Sequence, residues 1–197
     1  MPLPPPTSPR RKFHNRAINC EGFAREDGLW DIEAQIRDTK SYEFENEYRG
    51  DIKPGDAIHD MTIRLTLDDD KVIQEVEAVM DGTPFAYCLN VPPNFKALKG
   101  LKIGPGWNLA VRKRVGGTLG CTHMVELLAV MATVAYQTIG TGRKRRNEWL
   151  GRAPKSAKGE YEKRHAPSGF LDTCMSWGRS SPVVKRFMPD FYKEPKE

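Results

Sequence analysis

Two stretches of strict alternation constrain the fold of this chain more than any other feature. Trp30, Ile32, Ala34 and Ile36 are apolar, and the residues between them, Asp31, Glu33, Gln35 and Arg37, are polar. A period of two places the first set on one face of an extended strand and the second on the other, so this strand is buried on one side only. A second alternation, Ile63, Leu65 and Leu67 against Thr62, Arg64 and Thr66, runs into Asp68-Asp69-Asp70-Lys71 and then into the mixed segment 73–80. Turn chemistry between two such runs predicts a β-hairpin. Asp27-Gly28, ahead of the first alternation, is a hairpin turn as well. The charged and aromatic segment 42–50 reads as a short further strand, followed by the turn residues Lys53-Pro54-Gly55-Asp56.

Helical patterns fill the second half. Pro92-Pro93 suits a first helical turn and is followed by Phe95, Leu98 and Leu101. Gly104-Pro105-Gly106 and Gly116-Gly117 bracket a segment, 108–115, that fits either a helix or a strand. Residues 121–138 then read as one long helix. Its apolar run, 124–138, is interrupted by Glu126 and Gln137 and is too short to span a bilayer. Strands followed by helices predict an α+β fold, with a small antiparallel sheet of three or more strands packed against helices. Residues 1–16 form a proline-rich arm expected to be disordered, 17–140 a single α+β domain, and 141–197 a basic extension strapped onto it.

The net charge of +5 reflects 31 Lys and Arg against 26 Asp and Glu, and residues 141–197 alone hold 14 basic and 7 acidic side chains. Arg143-Lys144-Arg145-Arg146, followed by Arg152, Lys155 and Lys158, could contact phosphate. Cations are equally favourable at a helix C-terminus on dipole grounds, and no nucleic-acid fold signature surrounds these, so a solvated helix end is expected and a nucleic-acid partner is not. Gly116-Gly117-Thr118-Leu119-Gly120 lacks the lysine and spacing of a phosphate-binding loop. The N-terminus carries no apolar segment of the secretory or anchoring kind, which predicts a cytoplasmic protein, not held in a membrane, whose cysteines at positions 20, 88, 121 and 174 stay as thiols.

Four separated motifs carry a resemblance: Arg25-Glu26-Asp27-Gly28-Leu29-Trp30-Asp31-Ile32-Glu33, His59-Asp60-Met61, Gly120-Cys121-Thr122-His123 and Leu171-Asp172-Thr173-Cys174. In this order they resemble a bacterial family known as domain of unknown function 2889, over most of residues 17–190. That resemblance implies no activity. In the order of its features the chain also resembles the U-type iron–sulfur cluster scaffolds. There a metal-binding acidic residue precedes a methionine at the head of a strand, a hairpin leads to a cysteine, and a later helix carries the last cysteine beside a histidine. Here Met61 heads a strand two residues after His59, the hairpin leads to Cys88, and Cys121 with His123 opens the long helix. Ala57 stands where the scaffolds carry a cysteine, and Leu89-Asn90-Val91-Pro92-Pro93 replaces their small-residue run. This likeness implies a scaffold-like fold and a metal ion or an iron–sulfur cluster.

Cys121 and His123 are soft ligand types at a helix start, where unpaired N–H groups and the positive end of the dipole favour thiolate. Their spacing is not that of a zinc finger, so a site has to be assembled from distant residues: His59, Cys88 and Cys121 as ligands, completed by His123 or Cys174. Mixed nitrogen and sulfur ligands suit Zn²⁺ or Fe²⁺. Asp60 or Glu126 is then the catalytic carboxylate. Glu126 lies three residues after His123 on the same helical face, in a largely apolar helix where a charge needs a partner. For a thiol nucleophile, Cys121 and His123 diverge by roughly 200° around a regular helix, which makes Cys88 with His123 the better pair. His14 and His165 fall in polar segments and carry no assigned role. The function read from these residues is a metal-binding domain that transforms a small molecule. The alternative is a non-catalytic accessory module that binds a protein partner, and a homo-oligomer is compatible with either.

Overall fold

The computed structural model describes residues 3–152 and 171–195. Lys155, Lys158 and His165 lie outside them. Four strands, β1 (His14–Ala24), β2 (Trp30–Lys40), β3 (Ala57–Leu67) and β4 (Ile73–Gly82), form an antiparallel meander in the order β1-β2-β3-β4. With the helices described below, this is an α+β fold. The first hairpin closes at Asp27-Gly28, where the Arg25 N–H donates to the Leu29 carbonyl and Gly28 has φ +93°, a conformation that favours glycine. Because β1 opens at His14, His14 and Arg16 are sheet residues, although the sequence places them in a free arm. The segment 42–50 is a loop and not a strand. Its pairing is reduced to a single bridge between Phe44 and Ile52.

Directly opposed residues in antiparallel strands share a face, and the register sets Ile18, Ile36 and Met61 in one row and Ala24, Trp30 and Leu67 in another. That face is the core over β2 and β3, while Ile18 of β1 stays exposed. The opposite face carries Glu33, Arg64 and Glu77 as a solvent-exposed ion-pair ladder. Two 3-10 segments, Ala86–Asn90 and Pro92–Leu98, lead to helix α1 (Trp107–Val115) and helix α2 (Thr122–Trp149). α2 buries Met124, Leu127, Leu128, Met131, Ala135 and Ile139, a stripe of helical period laid over β1 and β2. Its 28 residues could cross a bilayer by length, but this stripe packs on the sheet.

The approach of α2 to the sheet is set by small residues. A Cβ built on Gly22 of β1 falls 2.0 Å from Thr138 Oγ1 and 2.8 Å from Thr138 Cβ. In a strand, alanine is ordinarily better than glycine by roughly 0.5–1 kcal/mol. Here the sign reverses. Gly22→Ala is expected to destabilise the protein by about 1–3 kcal/mol in urea unfolding, with part of the loss recovered by adding Thr138→Ala. An unchanged midpoint in the single variant would show that α2 can shift freely.

The basic cluster at the end of α2 is not simply a solvated helix end. Arg143 and Arg146, three residues apart, face the sheet, whereas Lys144 and Arg145 face outward and pair with Glu148. Arg146 is buried, lies over the Trp30 ring at 4.6 Å and donates to both Asp69 oxygens at 2.8 and 3.0 Å. The Trp30 indole N–H donates to the same carboxylate at 2.9 Å. The described residues 171–195 belong to a separate compact unit. Within it, helix α3 (Pro182–Phe187) is capped by Ser181, whose hydroxyl accepts from the Val184 N–H, and Arg179 pairs with Asp172.

Candidate metal centre

The apolar row on the inner face of β2 runs Trp30, Ile32, Ala34, Ile36 and then Asp38, which is as buried as the others. A carboxylate in that row needs partners from each neighbouring strand. The register supplies them: Arg16 of β1 and His59 of β3 stand directly opposite Asp38. Arg16 forks onto the carboxylate, Nε donating to Oδ1 and Nη2 to Oδ2, both at 2.8 Å. His59 Nδ1 lies 3.0 Å from Oδ2, and His14 Nε2 lies 3.4 Å from Oδ1. The first turn of α2 lowers His123 onto the same spot, its Nε2 3.7 Å from Asp38 Oδ2 and its ring against that of His59, tilted by 31° with centroids 3.8 Å apart.

The charge balance is asymmetric. Burial on its own would raise the Asp38 pKa, but the Arg16 hydrogen bonds and charge, with His59, outweigh it and hold the carboxyl at about 2. Burial pushes both imidazoles down, for His59 with repulsion from His123 and for His123 with repulsion from Arg16. The centre therefore holds an ionised carboxylate and two histidines biased toward neutrality, the protonation states a metal requires of its ligands. Ligand atoms of Asp38, His59 and His123 all fall within 4.8 Å of one another. Ligands bound at about 2.1 Å to an octahedral ion stand roughly 3 Å apart when cis; the Asp38 to His59 hydrogen-bond separation of 3.0 Å matches this, and His123 at 3.7 Å would have to move closer.

The residues singled out in the sequence divide clearly. His59 and His123 meet, and Asp38, absent from the sequence reading, joins them. Cys121 sits beside the group. Its Sγ lies 3.7 Å from His123 Nδ1, on the ring nitrogen remote from Asp38, and 3.9 Å from Met61 Sδ. The divergence expected of Cys121 and His123 does not apply, because Cys121 is the N-cap with extended dihedrals, φ −123° and ψ 130°, and not a helical residue. Cys121 is thus placed to fix the His123 tautomer from outside. Cys88 lies in the first 3-10 segment, half-buried against the core, and is not in the group. Cys174 is an exposed residue of the C-terminal unit. Asp60 follows His59 on a strand and so faces the other side of the sheet, where it accepts from Gln35 Nε2 at 2.7 Å and pairs with Arg37 at 3.6 Å. Glu126 has the partner its apolar helix demanded: Arg16 Nη1 donates to it at 2.5 Å, linking it to Asp38 through one guanidinium.

No curated protein and no solved structure matches the chain, and the likeness to the iron–sulfur scaffolds stays one of feature order. Residues 14–137 match the family described as protein of unknown function DUF2889, a span from the first residue of β1 into α2 that includes every side chain of the Asp38 cluster. The chain therefore belongs to that family of unknown function.

Proposed function

We propose that this protein is a metal-binding domain whose centre is Asp38, His59 and His123, and that the bound ion assists the transformation of a small molecule. Two imidazoles and one carboxylate converging from three elements are what carry this reading. Such a set leaves positions open to water or substrate and suits Fe²⁺, and with fewer open positions Zn²⁺. The bias of both histidines toward the neutral form supports it.

The fork of Arg16 on both Asp38 oxygens favours a second reading, in which the cluster is a structural ion-pair network and the protein is an accessory module. Elemental analysis separates the two. Untagged protein purified without oxygen is expected to hold close to one equivalent of iron or zinc, lost in His59→Gln and His123→Gln and kept in Cys88→Ser. Metal-free wild-type protein that also fails to take up either ion on titration would leave only the accessory module.

A further inference from the structure

Beside the centre, α1 and the first turns of α2 border an open cleft of about 530 Å³, within the range of small-molecule sites. Cys121 and Glu126 belong to its wall. Through His123 and Arg16 they are the two side chains that tie this cleft to the Asp38 cluster. Its lining includes the apolar Val111, Val125 and Leu128 and the small Ala129. Two charges line it. Glu126 shares the single charge of Arg16 with Asp38. Arg112 of α1 is exposed and has no ion pair or side-chain hydrogen bond among the described residues. Arg112 is therefore the cation of the cleft lining that has no partner among the described residues. The first turn of α2 adds backbone N–H groups that no side chain caps.

We infer that this cleft binds a small monocarboxylate with a short aliphatic body, its carboxylate held by Arg112 and its body lying on the Val125 and Ala129 surface beside Cys121 and the proposed metal centre. Arginine matches a carboxylate bidentately, which a neutral amide or alcohol cannot reproduce. Glu126 on the same cleft disfavours a dianion such as an alkyl phosphate. The inference rests on the metal reading only where it places the ligand beside the ion; the carboxylate site itself stands without metal.

Hexanoate is the probe, titrated by calorimetry into metal-free protein and followed by proton NMR relaxation on protein loaded with Mn²⁺. Hexanoate is expected to bind metal-free wild-type protein and to bind Arg112→Gln about tenfold more weakly, with Arg112→Lys between them. Hexanamide, 1-hexanol and hexyl phosphate should each bind more weakly than hexanoate. Ala129→Leu, at an exposed helical position, fills the cleft and should reduce hexanoate binding without loss of fold. In the Mn²⁺ protein the hexanoate protons should relax faster, and Arg112→Gln should reduce that effect at equal ligand concentration. Equal affinity in wild type and Arg112→Gln, tighter binding of hexyl phosphate, or no hexanoate binding up to its solubility limit would each overturn the inference. Binding that depends on Arg112, in a protein that takes up none of Mn²⁺, Fe²⁺ and Zn²⁺, would overturn the metal centre and leave the carboxylate cleft standing. Mn²⁺ uptake without hexanoate binding would do the reverse.

Discussion

Asp38→Asn is expected to weaken binding of Zn²⁺ or Fe²⁺ by about 100-fold or more, measured by calorimetric titration of metal-free protein. The amide keeps the shape and one acceptor oxygen but removes the only anionic member of the three-residue group. Arg16→Ala should act in the opposite direction. The guanidinium occupies the carboxylate as a resident cation, so its removal frees Asp38 for the ion, and affinity should rise by up to about tenfold. Opposite signs at two residues 2.8 Å apart are hard to produce by general destabilisation, which lowers affinity in both. If both substitutions weaken binding equally, the ion sits elsewhere.

The same carboxylate governs acid stability. Its folded pKa of about 2 lies below the unfolded value of about 3.9, so the unfolded chain binds the extra proton first. The stabilisation, roughly 2 kcal/mol, is complete above pH 4–5 and is lost as pH falls through the folded value. Denaturant unfolding of metal-free wild type should show this loss between about pH 4 and 2, and Asp38→Asn should lack that component.

How much of this was legible in the sequence follows from where its patterns end. Alternation gave the inner faces of β2 and β3 and the Asp27-Gly28 turn because one side of each strand is wet, and a period of two is then enforced. The same alternation contained Asp38: one more step of two beyond Ile36 places it on the buried face. The apolar signal stops at Ile36, although a charge in a buried row is the more informative observation. Arg16 and His14 were hidden by the proline-rich stretch before them, since β1 is mostly exposed and carries little periodicity of its own. The helix was read too short at its glycines. Gly142 lies inside α2 because a Cβ there would come within 3.0 Å of the Trp30 ring, so it serves close packing and does not end the helix. Cys88 enters the expected site through feature order and its ligand chemistry, and nothing local marks it as distinct from an ordinary half-buried thiol. The convergence of Asp38, His59 and His123 depends on strand register and on where α2 begins, which are tertiary facts that no local spacing encodes.

Asp69→Ala is expected to cost about 3 kcal/mol in urea unfolding, more than Arg146→Met at the other end of the same contact. Asp69 is about half exposed, whereas the Arg146 side chain is only 5 % exposed. Removing the carboxylate therefore strands a charge that water scarcely reaches, and it also takes the acceptor from the Trp30 indole. The remaining acceptor for Arg146 is the Gly28 carbonyl, which satisfies a hydrogen bond but not the charge. Burial on its own would raise the Asp69 pKa, yet the bonds from Arg146 and Trp30 lower it, in keeping with a carboxylate that the fold holds ionised. Arg146→Met removes the charge together with its need for a partner and leaves an aliphatic chain over the Trp30 ring, and the Asp69 it releases can turn to solvent. The double variant, Asp69→Ala with Arg146→Met, should then be more stable than Asp69→Ala alone, by about 1–2 kcal/mol. If the two single substitutions cost the same and the double equals their sum, the pair is an ordinary surface contact. The end of α2 would then be anchored by the Trp30 and Gly142 packing instead of by charge.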